Sequence, residues 1–198
     1  MSPSNENRGN NIQNHQVNQQ VSFMSKKGGR EKFAYFLAGF FEGEGSLWAS
    51  CVYQPRSAIN VQVTLGFSIY QHVSGMPLLE ACQNYFRTGR IYLKSGSSDV
   101  YVYEINCRRS IREKVFPFME NYVLPLGCKF NDSTTGPGTF SLIKQLLYLF
   151  DQNKHLEPSR DGIIRCIEIV YATTPLGKGK KRKRSLNEII SLVQQSRK

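Results

Sequence analysis

Two glycines, Gly39 and Gly43, stand four residues apart in a strongly apolar segment, EKFAYFLAGFFEG at 31–43. The segment is predicted to be a helix, and residues four apart share one face of a helix. Each glycine costs about 0.8–1 kcal/mol of helix stability relative to alanine. That cost is understandable if another backbone packs closely on this face, as between GxxxG membrane helices. Because the segment is too short to cross a bilayer and is bracketed by charges, we expect a close helix contact outside a membrane.

Acidic residues end this helix. Glu42 and Glu44 face the negative end of the helix dipole, which is unfavourable by about 0.3–1 kcal/mol each. If two such helices pair through the glycines, the two Glu44 carboxylates lie close together and repel. A bound Mg²⁺ would relieve both penalties, because hard cations prefer carboxylate oxygens. The alternative is a buried helix that ends in a solvated acidic turn, and the spacing alone leaves both open.

Alternating residues follow the helix and predict two strands, at 45–53 and 60–71. The second has the clearest strand pattern in the chain, with apolar residues at every second position: Val61, Val63, Leu65, Phe67 and Ile69. The residues between them are polar or small, so one face is expected to be buried and the other open. The runs GRIYLKSG and VYVYEIN predict a second hairpin across a Ser/Gly/Asp turn.

Helical patterns complete the domain, at 76–88, 139–150 and 161–172. Ser110 and Glu113 have the spacing of a capping box and predict the start of another helix. Pro117 predicts a break or a late first turn in that helix. The order of elements predicts an α+β fold with one twisted antiparallel sheet.

The net charge of +11 favours a polyanionic partner, either nucleic acid or an anionic membrane surface. A solvated basic tail on an unrelated protein would give the same charge. Residues 1–30 are rich in Asn, Gln, Ser and Gly and predict a flexible arm. We expect the folded domain at 31–175 and a basic tail at 176–198, with a short amphipathic helix from about Leu186 to Gln195. The tail holds a charge run that resembles a nuclear import signal or a phosphate tether: Lys178, Lys180, Lys181, Arg182, Lys183 and Arg184.

Several classes of protein are excluded by the sequence. No apolar run approaches the ~20 residues that span a bilayer, and 1–20 lacks the apolar core of a secretory signal and the Arg-rich pattern of an imported organellar protein. The five cysteines form no CxxC pair, which favours buried thiols in a reducing compartment, and three histidines argue against a zinc finger. The GKGK run lacks the flanking residues of a P-loop.

Residues 37–45, LAGFFEGEG, resemble the LAGLIDADG motif of homing endonucleases, with small residues at the helix crossing and an acid before the final glycine. A basic hairpin, a Gln after the second strand and a Lys after the third helix follow in the family's order, so the resemblance covers about 31–150. The run QHVSG…FRTGRIYLKSGS is most similar to intron-encoded enzymes of chloroplast large-subunit ribosomal RNA genes. The resemblance implies the LAGLIDADG homing endonuclease fold, with an αββαββα core.

The activity implied by the resemblance is a double-strand break in a long pseudo-palindromic DNA site, expected to be an intron insertion site in an rRNA gene, which promotes intron mobility. Because the chain has one motif, two copies are needed, so a homodimer packed through the motif helices at Tyr35, Gly39 and Gly43 is implied. Glu44, with the Gly43 backbone as an extra ligand, would hold Mg²⁺, and Mn²⁺ or Ca²⁺ could substitute for it in binding. The implied location is an organelle that encodes the protein, a chloroplast in preference to a mitochondrion.

Further roles carry over by position. Gln71 would position water, and Lys129 would stabilise charge on the leaving phosphate. A strand-end polar residue and an ordinary surface lysine are the simpler interpretations of these two. A second basic residue that the family often has after the Gln has no counterpart here except His72. The family's usual acid is Asp, so Glu44 changes the reach of the carboxylate, while Glu42 is expected to help end the helix.

The open face of the sheet is expected to enter the major groove of double-stranded DNA. Its predicted contacts are Trp48, Ser50, Gln62, Thr64 and Ser68 on the first hairpin, and Arg90, Tyr92, Lys94 and Tyr101 on the second. Ile91 and Leu93 are expected to face the core. Two alternatives use the same fold: an RNA maturase that binds its host intron RNA, and a DNA-binding protein without catalysis.

Overall fold

The computed structural model describes residues 22, 24, 26–173 and 183–196. It confirms an α+β fold and consists of two compact units. The first unit comprises residues up to Ser46 together with Phe67–Cys128, and the second comprises Leu47–Gly66 together with the residues from Lys129 onward. Most of the predicted arm at 1–30 lies outside the described residues, and its last two residues belong to the first helix.

Four strands form one sheet in the order β1-β2-β4-β3. They are β1 (Gly45–Tyr53), β2 (Val61–His72), β3 (Arg90–Leu93) and β4 (Val100–Ile105). β4 pairs antiparallel with both of its neighbours. The predicted hairpins are confirmed.

Besides two short 3-10 turns at Val73–Gly75 and Lys154–Leu156, the described part of the chain contains six helices. They are α1 (Gly29–Glu44), α2 (Met76–Phe86), a helical run α3 from Arg108 to Val123, α4 (Thr139–Asp151), α5 (Asp161–Ala172) and α6 (Leu186–Gln195). The predicted αββαββα order is confirmed. None of the helices in the described ranges has the length and apolar character needed to cross a membrane.

An aromatic cluster forms the core of the first unit. The rings of Phe41 and Phe67 stack with centroids 4.2 Å apart, and Phe118 and Phe86 meet them edge-on. Such pairs contribute about 0.5–1.5 kcal/mol each beyond their buried area. Gly45 is required here, because a Cβ at this position would lie 1.9 Å from the Phe41 ring. Packing of the Phe41 ring on Phe67 and Gly45 therefore fixes the end of α1 against the sheet.

The second unit has its own core between α4, α5 and α6. Leu146, Cys166 and Val170 are fully or almost fully buried, and α6 contributes Ile189 and Val193. α6 begins with a capping box made by Ser185 and Glu188, which was not predicted at this position. The structure has a helix at Leu186–Gln195, as expected, and the helix packs into the second unit through Ile189 and Val193.

The start and course of α3 differ from the prediction. The helix begins at Arg108, so Ser110 is already helical and makes no cap. Pro117 does not break it, because the flanking segments Ile111–Val115 and Met119–Val123 are π-helical. The wider π turns accommodate a residue that has no N–H to donate.

Burial also corrects the prediction for cysteines. Cys82 and Cys166 are buried as expected, but Cys107 and Cys128 are exposed and Cys51 is half-buried, and none of the five forms a disulfide. Cys107 and Cys128 lie in loops next to α3, and their immediate neighbours are polar or small: Asn106 and Arg108 for Cys107, Gly127 and Lys129 for Cys128. Neither loop position belongs to a buried apolar face, so both thiols are exposed.

Candidate functional site

The acid that ends α1 points to solvent. Glu44 and Gly43 are both exposed, while Phe41 and Gly45 on either side are buried. The Gly45 N–H donates to the Phe41 carbonyl and ends the helix. Because its neighbours are fixed in the core, the Glu44 carboxylate is held at the rim of the first unit. The negative end of the helix dipole disfavours a carboxylate at this position and favours a bound cation.

Glu42 has a different function from Glu44. One of its carboxylate oxygens accepts a hydrogen bond from the Cys128 N–H at 2.8 Å. The other oxygen packs against Gly127, where a Cβ would approach it to 2.5 Å. Glu42 therefore joins the end of α1 to the loop that follows α3.

One face of α1 is uncovered in the described chain. Tyr35 is 51% exposed and Phe36 is 56% exposed. A Cβ built at Gly39 or Gly43 meets nothing within 4 Å, and Phe40 is half-buried beside Phe36. The predicted stripe of Tyr35, Gly39 and Gly43 lies on this face. Phe36 and Phe40 were missed, although their i, i+4 spacing places them beside it.

A divalent cation fits this site only in part. No group of three His, Cys, Asp or Glu side chains is gathered in the described residues. Glu44 offers one carboxylate, and magnesium requires several oxygen ligands in octahedral geometry. One chain therefore supplies part of a metal site at most, and further ligands would have to come from a second chain, water or substrate.

Gln71 lies near the end of β2 and is half-buried. Its side chain rests against Gly75, where a Cβ would come within 2.4 Å of the Gln71 amide oxygen. The adjacent His72 accepts a hydrogen bond from the Ser74 N–H and lies 3.5 Å from Asp99. His72 therefore holds the turn after β2, while the glycine leaves room for the Gln71 side chain.

Lys129 belongs to the second unit and is exposed. Its ammonium lies 5.3 Å from the centroid of the Phe130 ring, and Phe130 is buried. The Phe130 carbonyl accepts from the Phe140 N–H at the start of α4. The backbone at Lys129 is thus anchored through its neighbour, and its ammonium is presented to solvent.

In the first unit, the open face of the sheet is built around a buried carboxylate. Glu104 is 7% exposed, and its oxygen accepts from Arg90 Nη2 at 2.8 Å and from Arg90 Nε at 3.2 Å. This hydrogen bond raises the pKa of Arg90, so the guanidinium stays charged. The guanidinium also lies 5.0 Å from the centroid of the Tyr92 ring, and the Lys94 ammonium lies 5.4 Å from that of Tyr70. Arg90, Tyr92 and Lys94 are exposed, as expected for contact residues.

Two predicted contact residues are not on this open surface. Ser68 lies opposite Glu104 and is only 1% exposed, so it is covered. Tyr101 pairs with Gln71 and Leu93, which puts it on the opposite face from Arg90. The prediction that Tyr101 shares the face of Arg90 is wrong, because the phase of β4 is fixed by its register. Leu93 was expected in the core but is 46% exposed, since β3 is an edge strand.

The second unit presents its own polar residues on β1 and β2. Gln62 is exposed, and the hydroxyls of Ser50 and Thr64 hydrogen-bond to each other at 2.9 Å. Trp48 lies flat on Gly66, where a Cβ would be 2.5 Å from the indole ring. Gln62 is therefore the exposed member of this set, and Trp48 has a packing function.

These features match a known family. Residues 37–133 match the family model described as LAGLIDADG endonuclease. The chain contains a LAGLIDADG endonuclease domain. Glu44, Gln71, Lys129 and the two glycines of the uncovered stripe fall within its bounds, and Tyr35 of the stripe precedes them.

Two curated relatives support this assignment. The chain is 39% identical over 120 residues to DNA endonuclease I-CeuI of Chlamydomonas moewusii, a match to 61% of this chain and 53% of that protein. It is 26% identical over 158 residues to homing endonuclease I-ApeII of Aeropyrum pernix, covering 80% of this chain and 88% of that protein. The chain therefore spans about half the length of I-CeuI.

Solved structures confirm the predicted LAGLIDADG homing endonuclease fold. The group I intron-encoded homing endonuclease I-CeuI complexed with DNA matches with a TM-score of 0.71 at 26% identity, covering 94% of this chain and 88% of that chain. The archaeal intron-encoded homing endonuclease I-Vdi141I complexed with DNA gives a TM-score of 0.70 at 25% identity, covering 83% and 97%.

Substitutions of the two acids of the LAGLIDADG motif should have different effects on the free energy of unfolding. Glu42→Ala removes the acceptor of the Cys128 N–H and should lower the free energy of unfolding by about 1–3 kcal/mol. Glu44→Ala is the matched control, and should change it by less than about 0.5 kcal/mol because the side chain is exposed. Urea titration followed by circular dichroism measures both. Equal losses for the two variants would contradict the structural role of Glu42.

Proposed function

We propose that the protein is a site-specific homing endonuclease that makes a double-strand break in a long pseudo-palindromic DNA site, an intron insertion site in an rRNA gene. The observation that carries the proposal is the exposed Glu44 carboxylate at the end of a motif helix whose glycine face is uncovered. The relatives named as homing endonucleases, and the solved complexes with DNA, support it. In this function the break promotes movement of the host intron. An organelle, a chloroplast in preference to a mitochondrion, is the proposed location.

The active form is a homodimer. The uncovered face of α1 is apolar and partly exposed, and its two glycines leave space for a partner. It consists of the stripe of Tyr35, Gly39 and Gly43 together with Phe36 and Phe40. A second copy of α1 fits this face, because two small-residue stripes let helix backbones approach closely. A two-fold dimer places the same residues of both chains at its axis, so each chain would contribute one Glu44 there. Two-fold protein symmetry is matched by a pseudo-palindromic DNA site.

Magnesium would be held by Glu44, with the Gly43 backbone as a further ligand and Mn²⁺ or Ca²⁺ as substitutes in binding. When bound, it would supply Lewis-acid polarisation of a phosphate oxygen and a lower pKa for water. Gln71 would orient the attacking water through its side-chain amide. The absence of a side chain at Gly75 leaves room for that amide. Lys129 would stabilise the negative charge that develops on the phosphate.

DNA recognition is assigned to the exposed polar residues of each unit. Arg90 is the strongest candidate for reading a base, because Glu104 holds Nε and Nη2 and leaves Nη1 and the outer edge of the guanidinium for a guanine. A guanidinium fixed in this way loses little side-chain entropy on binding. Gln62, Tyr92 and Lys94 add exposed donors, and Lys94 suits a phosphate contact.

The proposed activity is tested with Glu44→Gln. The substitution removes one charge but keeps the size of the side chain, so it should abolish cleavage of intronless target DNA in Mg²⁺. Target binding in the absence of metal should change little, since positioning depends on phosphate and base contacts. Glu44→Asp restores a carboxylate and should keep part of the activity. Gel analysis of plasmid cleavage, with a mobility-shift assay for binding, measures both.

Cleavage by Glu44→Gln at the wild-type rate would remove the assignment of this residue. A wild-type protein that never cuts DNA but binds its host intron RNA would instead indicate an RNA maturase.

The dimer is tested with Gly39→Leu. A Cβ at Gly39 meets open space within one chain, so the substitution should leave the fold intact and block only the helix pairing. Sedimentation should give twice the chain mass for the wild type and one chain mass for the variant, with double-strand cleavage lost. Asn84→Leu adds the same side chain at an exposed position of α2 and should stay dimeric. A monomeric wild type that cuts both strands in one encounter is the contradicting result.

Base reading is tested with Arg90→Ala on a library of single-base target variants. The loss should be about 1–3 kcal/mol, with relaxed preference at one base pair in each half-site. Glu104→Gln should relax the same base pair, because it loosens the guanidinium without removing it. Ile91→Ala, on the other face of β3, should lower stability without changing any base preference. An even loss across the library with Arg90→Ala would show that Arg90 contacts phosphate only.

A further inference from the structure

The segment around α6 is fastened to the tip of the β1–β2 hairpin in the second unit. Asn60, the last residue of the hairpin loop, donates from its side-chain amide to the Leu192 carbonyl at 3.3 Å. The Tyr171 hydroxyl donates to the carbonyls of Arg184 at 2.9 Å and Ser185 at 3.3 Å. These bonds hold the entry to α6 and the helix itself.

A second anchor lies at the far end of α6. The Arg160 guanidinium donates to the carbonyls of Val193 and Ser196 and to the Ser196 hydroxyl. Arg160 itself has a left-handed backbone with φ of 68°, a conformation that non-glycine residues rarely adopt. With Ile189 and Val193 buried beneath it, α6 is fixed along its whole length.

Basic side chains are presented where this segment meets the hairpin. The Arg184 guanidinium lies 4.7 Å from the centroid of the Tyr53 ring, at the last residue of β1. Lys183 and Arg184 are exposed, as is Arg56 in the hairpin loop, and that loop contains no acid. The nearby Glu188 carboxylate is engaged by Ser185, whose backbone N–H lowers the pKa of Glu188. Four more cations precede the segment in sequence: Lys178, Lys180, Lys181 and Arg182.

We propose that Arg56, Lys183 and Arg184 form a hairpin-tip platform that binds the phosphate backbone of double-stranded DNA, separately from the residues that read bases. This inference rests on the proposed function. A strand ribbon that lies in a groove brings its tip to the sugar-phosphate backbone, where clustered lysine and arginine gain affinity by releasing counterions. The platform adds affinity without sequence preference. Docking of α6 makes it a fixed surface, so its contacts fall at a constant place in each half-site.

The experiment uses the full chain with Lys183→Ala and Arg184→Ala combined. Dissociation constants for target and scrambled duplexes are measured by fluorescence anisotropy over a range of NaCl concentrations. Both duplexes should bind more weakly by the same factor, and the slope of log affinity against log salt should flatten by about 0.9 for each lost contact. The preference for target over scrambled DNA should stay unchanged.

The matched control removes one lysine and one arginine elsewhere in the same unit, by Lys144→Ala with Arg165→Ala on α4 and α5. Its slope should equal that of the wild type. An unchanged slope for Lys183→Ala/Arg184→Ala, or equal flattening in the control, would overturn the platform. If Lys183→Ala/Arg184→Ala kept the wild-type slope on DNA but bound structured RNA more weakly than the wild type, the surface would bind RNA and the DNA platform would be overturned. If the wild type bound no duplex DNA, the proposed function would fail as well.

Tyr171→Phe tests whether the platform is fixed. It keeps every charge but removes the hydroxyl that holds the carbonyls of Arg184 and Ser185, so the salt slope should flatten partly while helix content by circular dichroism stays the same. A wild-type slope in Tyr171→Phe would overturn the fixed placement, because the cations would then act as a flexible tether.

Discussion

The stacking of Phe41 on Phe67 determines where the acid of the motif is placed. The two rings are fully buried and their centroids are 4.2 Å apart, so the last turn of α1 cannot rotate without opening the aromatic core. Gly45 allows the contact, because any side chain there would occupy the volume of the Phe41 ring. Glu44 lies between buried Phe41 and buried Gly45 in the chain, and its carboxylate is directed outward as a consequence. The chemistry of Glu44 therefore depends on the packing of its neighbours.

A buried charge organises the open face of the sheet in a similar way. Taking the Glu104 carboxylate out of water costs several kcal/mol unless it is paired and hydrogen-bonded. Arg90 and Asn106 both donate to it, and the guanidinium remains largely exposed on its outer side. A hydrophobic residue at 104 would satisfy the sheet equally well, but it would leave Arg90 free to rotate. The cost of burying Glu104 is consistent with a surface that must present one cation in one orientation.

Local patterns in the sequence predict most of the fold, because they depend on residues close in the chain. The alternation in β2, the apolar face of α1 and the LAGFFEGEG motif each appear within about a dozen residues. The errors concern relations that no short window contains. Tyr101 is on the unexpected face because the register of β4 with β2 sets its phase, and Ser68 is covered although its strand neighbours suggested an open face. The docking of α6 depends on Arg160 and Asn60, which are distant in sequence.

A single chain supplies only part of the candidate site. One carboxylate, Glu44, and one uncovered glycine stripe lie at the same end of the same helix, and no group of three potential ligands exists in the described residues. Pairing two stripes would bury apolar surface and bring two carboxylates together, so the favourable packing would be opposed by charge repulsion. A bound cation held by Glu44 would lower that repulsion, which would couple metal binding to the pairing of the helices. On the proposed function, this coupling makes hydrolysis depend on two correctly paired chains, each of which contacts one half of the pseudo-palindromic site.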